Sequence, residues 1–334
     1  MAHAYQSPPL SYEDQLKQLE RRGLLIKRRR QALELLATVG YTRLSGFWDP
    51  LLLPESKQFG PNASFEDVYD RYQADSRLRQ LTLYAVNHVE IALRAGLTYH
   101  ISHDVGTGLW IGDFEVLTDP NWQSGFVQRA LKGLAGSRDP WAKEYRRLHA
   151  NVTPIPPAWI ALQFANFGDL AKIRKRLTST RTKAAVCARY GVIPDVLISW
   201  IGSLHQLRNA CAHHARIWNR NLHSAPVWPK SLARRKDDWV SSWEPDPAIA
   251  QSPFTQHRSL GDAEKQGLTF YAAACVMKYL VDRINPTNTF RKRLEACLAP
   301  HAAAGQPVEV EAGFPSGWRE EPLWQNTNGF ESAP

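Results

Sequence analysis

Along almost the whole chain, apolar residues recur three and four positions apart, and few segments alternate as a half-buried strand would. A sequence with that period folds into helices packed on one another, so the expected class is all-α. Caps and breakers place the elements. Ser11 with Asp14 opens a short helix that ends near Gly23, and a second covers about Lys27 to Val39 before Gly40. Ser64 with Asp67 begins another, and the pattern from Leu78 to Ile101, through Leu81, Ala85, Val89, Ala92 and Leu93, makes a long one. Shorter helices are expected over Trp122 to Leu134, Pro140 to His149, Ala158 to Phe164, Leu170 to Leu177 and Lys183 to Tyr190. Pro154, Pro156 and Pro157 break the chain between the second and third of these. Two closing helices run from about Asp262 to Ile284 and from Thr289 to Leu298.

This order suggests an N-terminal helical region over residues 11–60, a main helical domain over 61–299 and a C-terminal extension, 300–334, packing on it. Residues 224–258 are rich in proline, tryptophan and charge and read as a long ordered loop within the main domain. With 43% hydrophobic and 22% charged residues the chain is an ordinary globular one. Its net charge of +9 favours polyanionic partners, either nucleic acid or an anionic membrane surface. No apolar run approaches the length of a membrane span and Met1 to Leu10 lacks a signal-peptide core, so a soluble, cytoplasmic protein is expected. Cys187, Cys211, Cys275 and Cys297 are far apart and the 11 histidines show no metal-ligand spacing. Buried, reduced thiols and no metal or cofactor are therefore expected.

From Asp195 to about Trp218 the helical pattern is uninterrupted. Leu197, Trp200, Ile201, Leu204, Leu207 and Cys211 form one apolar stripe. Opposite it, His205, Arg208, Asn209, Ala212, His213 and Arg216 form a polar one. Histidine and arginine are what RNA cleavage without a metal requires. An imidazole titrates near neutrality and can handle protons at the 2′-hydroxyl and the 5′-oxygen. A guanidinium stays charged and grips phosphate oxygens in two places. Arg208 and His213 are the candidate catalytic pair, with Asn209 orienting either the imidazole or the phosphate and His214 in support. Five positions on a straight helix separate two residues by roughly 140° and about 7.5 Å, so convergence needs the arginine's reach or a local break.

Glu90 and Arg94, with Asn87 on the same side of the long helix, are either a surface ion pair or a support that packs across the motif helix to hold Arg208 or His213. Lys172, Arg174, Lys175, Arg176, Arg181 and Lys183 are candidates for RNA grip, with Arg43, and Arg21, Arg22 and Lys27 to Arg30 form a second basic run. Tyr41, Phe47 and Trp48 stack on bases or belong to the core.

Several ordered segments carry a resemblance. They are Leu19-Glu20-Arg21-Arg22-Gly23-Leu24, Gly40-Tyr41-Thr42-Arg43-Leu44-Ser45-Gly46-Phe47-Trp48 and Val89-Glu90-Ile91-Ala92-Leu93-Arg94. Further on come Leu207-Arg208-Asn209-Ala210-Cys211-Ala212-His213-His214 with Arg216 and Trp218-Asn219-Arg220, then Gly313-Phe314-Pro315, Trp318 and Pro322-Leu323-Trp324. From about Ser11 to Trp324 the chain resembles the abortive-infection proteins of the AbiD/AbiF type, bacterial phage-defence proteins that carry a HEPN domain. The resemblance implies a HEPN-like helical bundle with an additional N-terminal helical region. It implies an endoribonuclease whose Arg and His match Arg208 and His213, often a homodimer with a composite site. Some relatives are encoded beside a structured noncoding RNA, a second possible partner besides the RNA that is cut. Two other readings stay open: a non-catalytic module that holds such an RNA, and a helical scaffold.

Overall fold

The computed structural model describes residues 8–222, 224–227, 269–299 and 305–325, and among these the regular structure is helical, with isolated β-bridges and no strand. Its axis is α4, Phe65–Val105, a helix of 41 residues and therefore about 60 Å long. Ser64 and Asp67 close a reciprocal capping box at its start, and Gly106, at φ 79°, ends it in the left-handed conformation that glycine adopts freely. The sequence suggested two helices here. They are one, because no proline or glycine falls between Phe65 and Leu78 and because four charged residues take up the buried face of the first turns.

Those four residues, Asp67, Arg71, Asp75 and Arg79, alternate in sign at four-residue spacing and are all buried. On a free helix such a row faces water. Here other segments close over it. Arg71 pairs with Glu311 at 2.9 Å and Arg79 with Asp75. The Oδ1 of Asp75 accepts from the backbone amides of Ile217 and Trp218, each at 2.8 Å.

The N-terminal helices are α1 (Tyr12–Arg21), α2 (Arg29–Thr38) and the short α3 (Tyr41–Ser45). Then come α5 (Pro120–Gly136), α6 (Pro140–His149), α7 (Ala158–Ala161, continued as a 3-10 turn to Phe164), α8 (Phe167–Arg176) and α9 (Thr180–Ala188). The motif helix is α10 (Pro194–Ala212), followed by α11 (Phe270–Ile284), α12 (Phe290–Leu298), α13 (Val308–Glu311) and α14 (Pro322–Gln325). Around α4 pack α11, α10, α12, α9 and α8. A contiguous core runs from Leu16 and Leu44 through Trp200 and Trp218 to Trp318 and Trp324, so both ends of the chain share it. Phe47 and Trp48 lie in this core, Phe47 stacked on Trp218 at 5.8 Å between ring centroids, which makes them packing residues and not a surface for bases. All four cysteines are buried free thiols.

Of the segment read as a loop, residues 224–227 run beside α10. Ser203 Oγ donates to Ser224 O at 2.7 Å and Trp200 Nε1 to Val227 O at 2.9 Å. Residues 228–258, like the expected start of the first closing helix at 262–268, lie outside the described residues. Among the described residues no helix is long and apolar enough to cross a membrane.

Candidate functional site

All six residues of the expected stripe on α10, from Leu197 to Cys211, are buried. The opposite side is half-buried at His205, Arg208 and Asn209 and exposed at Ala212 and His213. Three of these side chains are joined in a row. Asn209 Nδ2 contacts His205 Nε2 at 3.2 Å, and Arg208 Nη1 donates to Asn209 Oδ1 at 3.3 Å. If the amide donates to Nε2, the imidazole is neutral with its proton on Nδ1. The surroundings favour that state. Burial first, then the charges of Arg208 and Lys172, lower the His205 pKa below the ordinary histidine value, with Asp169 opposing.

The first turn of α8 seats this row. Asn166 and Asp169 cap the helix reciprocally, and Gly168 meets His205, where a Cβ would come within 2.7 Å of Nε2. Only a glycine leaves the imidazole its place. On α4, Arg94 binds Glu90 at 2.8 Å and the carbonyl of Ala165 at 2.9 Å, just ahead of the α8 cap. Glu90 and Arg94 thus brace the α4–α8 junction. Among the described residues they form no hydrogen bond to Arg208 or His213.

The sequence pattern carries the motif helix on to Trp218, but it stops at Ala212. His213 is the C-cap, and His214 follows with φ 56°. The amide of Ala215 donates to Ala210 O at 2.8 Å and that of His214 to Cys211 O at 3.0 Å. These two bonds form the paired closure of a helix end that normally uses glycine at the left-handed position. The chain leaving it is clamped. Arg43 of α3 donates to the carbonyl of His214, and Arg216 donates to the carbonyl of Gly46 and lies 3.8 Å from Asp49. Ile217 and Trp218 hang on Asp75, and Trp218 Nε1 reaches Val308 O at 3.4 Å.

The chain turns at His214, one residue beyond His213, whose amide still donates to Asn209 O at 3.0 Å, so Arg208 and His213 keep their five-residue helical separation. Within one chain no hydrogen bond joins them among the described residues: Arg208 belongs to the Asn209 row, while His213 stands exposed at the helix end. A cavity of about 70 Å³ beside α10 lies on the flank of Ser203, Leu207 and Ala210, and neither Arg208 nor His213 lines it.

The basic candidates divide. Lys172 and Lys175 are exposed and Lys183 half-buried, and Arg181 is 90% exposed at 3.8 Å from Asp104. Arg176 is tied to Asp119 at 3.0 Å and lies over the Trp122 ring. Arg174 is a correction. It is fully buried, donating to Cys187 Sγ and to Pro194 O, so its guanidinium is part of the core and cannot meet RNA at the surface. Arg43 is committed to the helix end. In the second basic run Arg29 bridges Glu13 and Glu20, and Arg22 lies over Trp48 and Phe59. Sequence reasoning passed over Asp75 and Arg79, which are legible only as two rungs of the alternating row on α4. Among the described residues no group of three His, Cys, Asp or Glu side chains is placed to hold a metal ion.

Compared with known proteins, residues 34–219 match the family described as Abi-like protein. The matched stretch begins ahead of α3 and ends one residue past Trp218, so it takes in Arg43, Gly46, Asp75, Arg79 and the whole of α10. No curated protein and no solved structure matches the chain.

Proposed function

We propose that this chain, which belongs to the Abi-like protein family, is a metal-independent endoribonuclease of the HEPN class, acting in abortive infection and cutting RNA at the outer face and end of α10. The observation that carries this reading is the joined row His205–Asn209–Arg208 on the accessible side of a helix that ends at an exposed imidazole.

The parts have distinct tasks. Arg208 presents its planar cation to the phosphate, where it steadies the charge of the phosphorane. Asn209 fixes the guanidinium, and the neutral His205 fixes Asn209. His213 handles a proton as the 2′-oxygen attacks phosphorus and the 5′-oxygen leaves, giving a 2′,3′-cyclic phosphate and a 5′-hydroxyl. Two copies of the chain would offer Arg208 of one and His213 of the other to a single phosphate, which meets the separation found within one chain. Lys172, Lys175 and Arg181 are exposed cations available to the RNA backbone.

The test is incubation of the purified protein with a labelled single-stranded RNA, followed by analysis of the new ends. Cyclic-phosphate ends are expected from the unaltered chain. Arg208→Ala and His213→Ala should each lower the rate by about a hundredfold or more, with thermal stability unchanged. Binding of the RNA without turnover would instead make the chain a holding module for a structured RNA. Cleavage by both variants at the original rate would remove the pair from the chemistry.

A further inference from the structure

We propose that His214 is a second proton-transferring group of the same site, working beside His213; the inference rests on the ribonuclease reading above. His214 occupies the single position of the helix end where a histidine is structurally unfavourable. At φ 56° its backbone lies in the left-handed region, where a Cβ crowds the carbonyl and glycine does not.

Nothing in the described fold rewards the imidazole for this. What holds the residue is its backbone: the amide donates to Cys211 O and the carbonyl accepts from Arg43. Both bonds are equally open to glycine, which would keep them without strain. The side chain itself is exposed and makes no hydrogen bond among the described residues. The charged groups packed around this end are already engaged. Arg43 holds the His214 carbonyl, Arg79 holds Asp75, Asp75 holds two amides, and Arg216 holds Gly46 O near Asp49. Among the described residues no carboxylate is thereby left to hold the ring as a structural ion pair. A strained residue whose side chain serves no fold is a functional candidate.

The chemistry has a place for it. Cleavage moves two protons with no net change: one leaves the 2′-hydroxyl as the new O–P bond forms, and one arrives at the 5′-oxygen as the old O–P bond breaks. One imidazole accepts and the other donates. Histidine is the side chain whose ordinary pKa suits both roles near neutrality. His213 and His214 are adjacent, with Cα atoms about 3.8 Å apart, and both side chains are exposed, so two imidazoles stand at one helix end within reach of one phosphate.

The experiment compares His214→Gly and His214→Asn with the full chain, reading thermal unfolding and the cleavage rate of a labelled single-stranded RNA oligonucleotide. Glycine and asparagine both suit the left-handed position, and neither titrates. The expected result is a thermal midpoint for His214→Gly raised by roughly 1–2 °C together with a cleavage rate lowered about a hundredfold in both variants. Full activity in either variant, with His213→Ala inactive, overturns the proposal and leaves the ribonuclease reading standing. A His214→Gly chain less stable than the original overturns the strain argument and the proposal with it. An unaltered chain that cuts no RNA removes the ribonuclease reading itself, and this inference falls with it.

Discussion

Replacing Asp75 by alanine tests the clamp that fixes the end of the motif helix. The carboxylate is 0% exposed and fully used: Oδ1 takes the amides of Ile217 and Trp218 at 2.8 Å each, and Oδ2 takes Arg79, itself 6% exposed. Breaking a buried pair from one side leaves an uncompensated charge and costs about 3–5 kcal/mol. Each amide left without an acceptor costs about 1–3 kcal/mol. The losses overlap, since the three donors share one group and water can enter the space left behind, so a total of about 4–5 kcal/mol is expected. Urea unfolding followed by tryptophan fluorescence reads it directly, because Trp218 is itself suspended from Asp75. A second variant separates the two contributions. Asp75→Ala with Arg79→Met removes the stranded charge and should lose only about 2 kcal/mol, the share of the amides. A loss under about 1 kcal/mol for the single variant, or a double variant no more stable than the single, would refute the reasoning.

Four further outcomes follow from the same structure. His205 titrates below its ordinary value because burial and two nearby cations disfavour the imidazolium. The unfolded chain takes up that proton near pH 6.5 (roughly, for an unperturbed histidine), so this residue's share of stability is complete above that pH and is lost as pH falls toward the folded value. His205→Gln should flatten the dependence, measured as thermal midpoints from pH 5 to pH 8. Gly168→Ala would place a Cβ 2.7 Å from His205 Nε2, displacing the ring from Asn209. A modest loss of about 1 kcal/mol with a severalfold slower cleavage is expected, and unchanged kinetics would mean that the row does not hold Arg208. Arg174→Met should be neutral or stabilising, because two nitrogens of the buried guanidinium have no partner among the described residues, and RNA affinity should not change. Arg181→Ala should weaken binding and reduce the salt dependence by about one counterion, checked by filter binding across salt concentrations.

Much of this was legible. The apolar stripe of α10 follows from its period, because that helix buries one face and exposes the other, and the start of α6 follows from Pro140, which suits a first helical turn. The reading failed where charge lies inside. Asp67, Arg71, Asp75 and Arg79 hid the first half of α4, since the groups that neutralise Arg71 and fill Asp75 arrive from residues 311, 217 and 218. Arg174 was misplaced although its period was informative: Leu170, Ile173 and Leu177 put position 174 on the buried side of α8. The end of α10 was illegible for a different reason. Helix ends are read from glycine, and here the left-handed position carries a histidine whose carbonyl is anchored by Arg43, distant in sequence.

That anchoring explains why marks so far apart in the chain belong with six residues of one helix. An arginine and a histidine five positions apart on an uninterrupted helix diverge, so their spacing has no chemical meaning by itself. It acquires one only if the helix ends at the histidine, leaving the imidazole free at its end, and the turn that follows at His214 is held. The Gly40 to Trp48 segment supplies Arg43 and the carbonyl of Gly46 for the turn, and α4 supplies Asp75 beyond it. The C-terminal segment seats Trp218 through Val308 and neutralises Arg71 through Glu311. The helix end on which His213 depends is therefore assembled from α3, α4, α10 and α13, and loosening any one of them reaches His213 without touching it. Arg208 depends on a separate support, the α8 cap and His205. Substitutions in the two supports should accordingly combine additively in stability, while each alone should diminish the proposed cleavage.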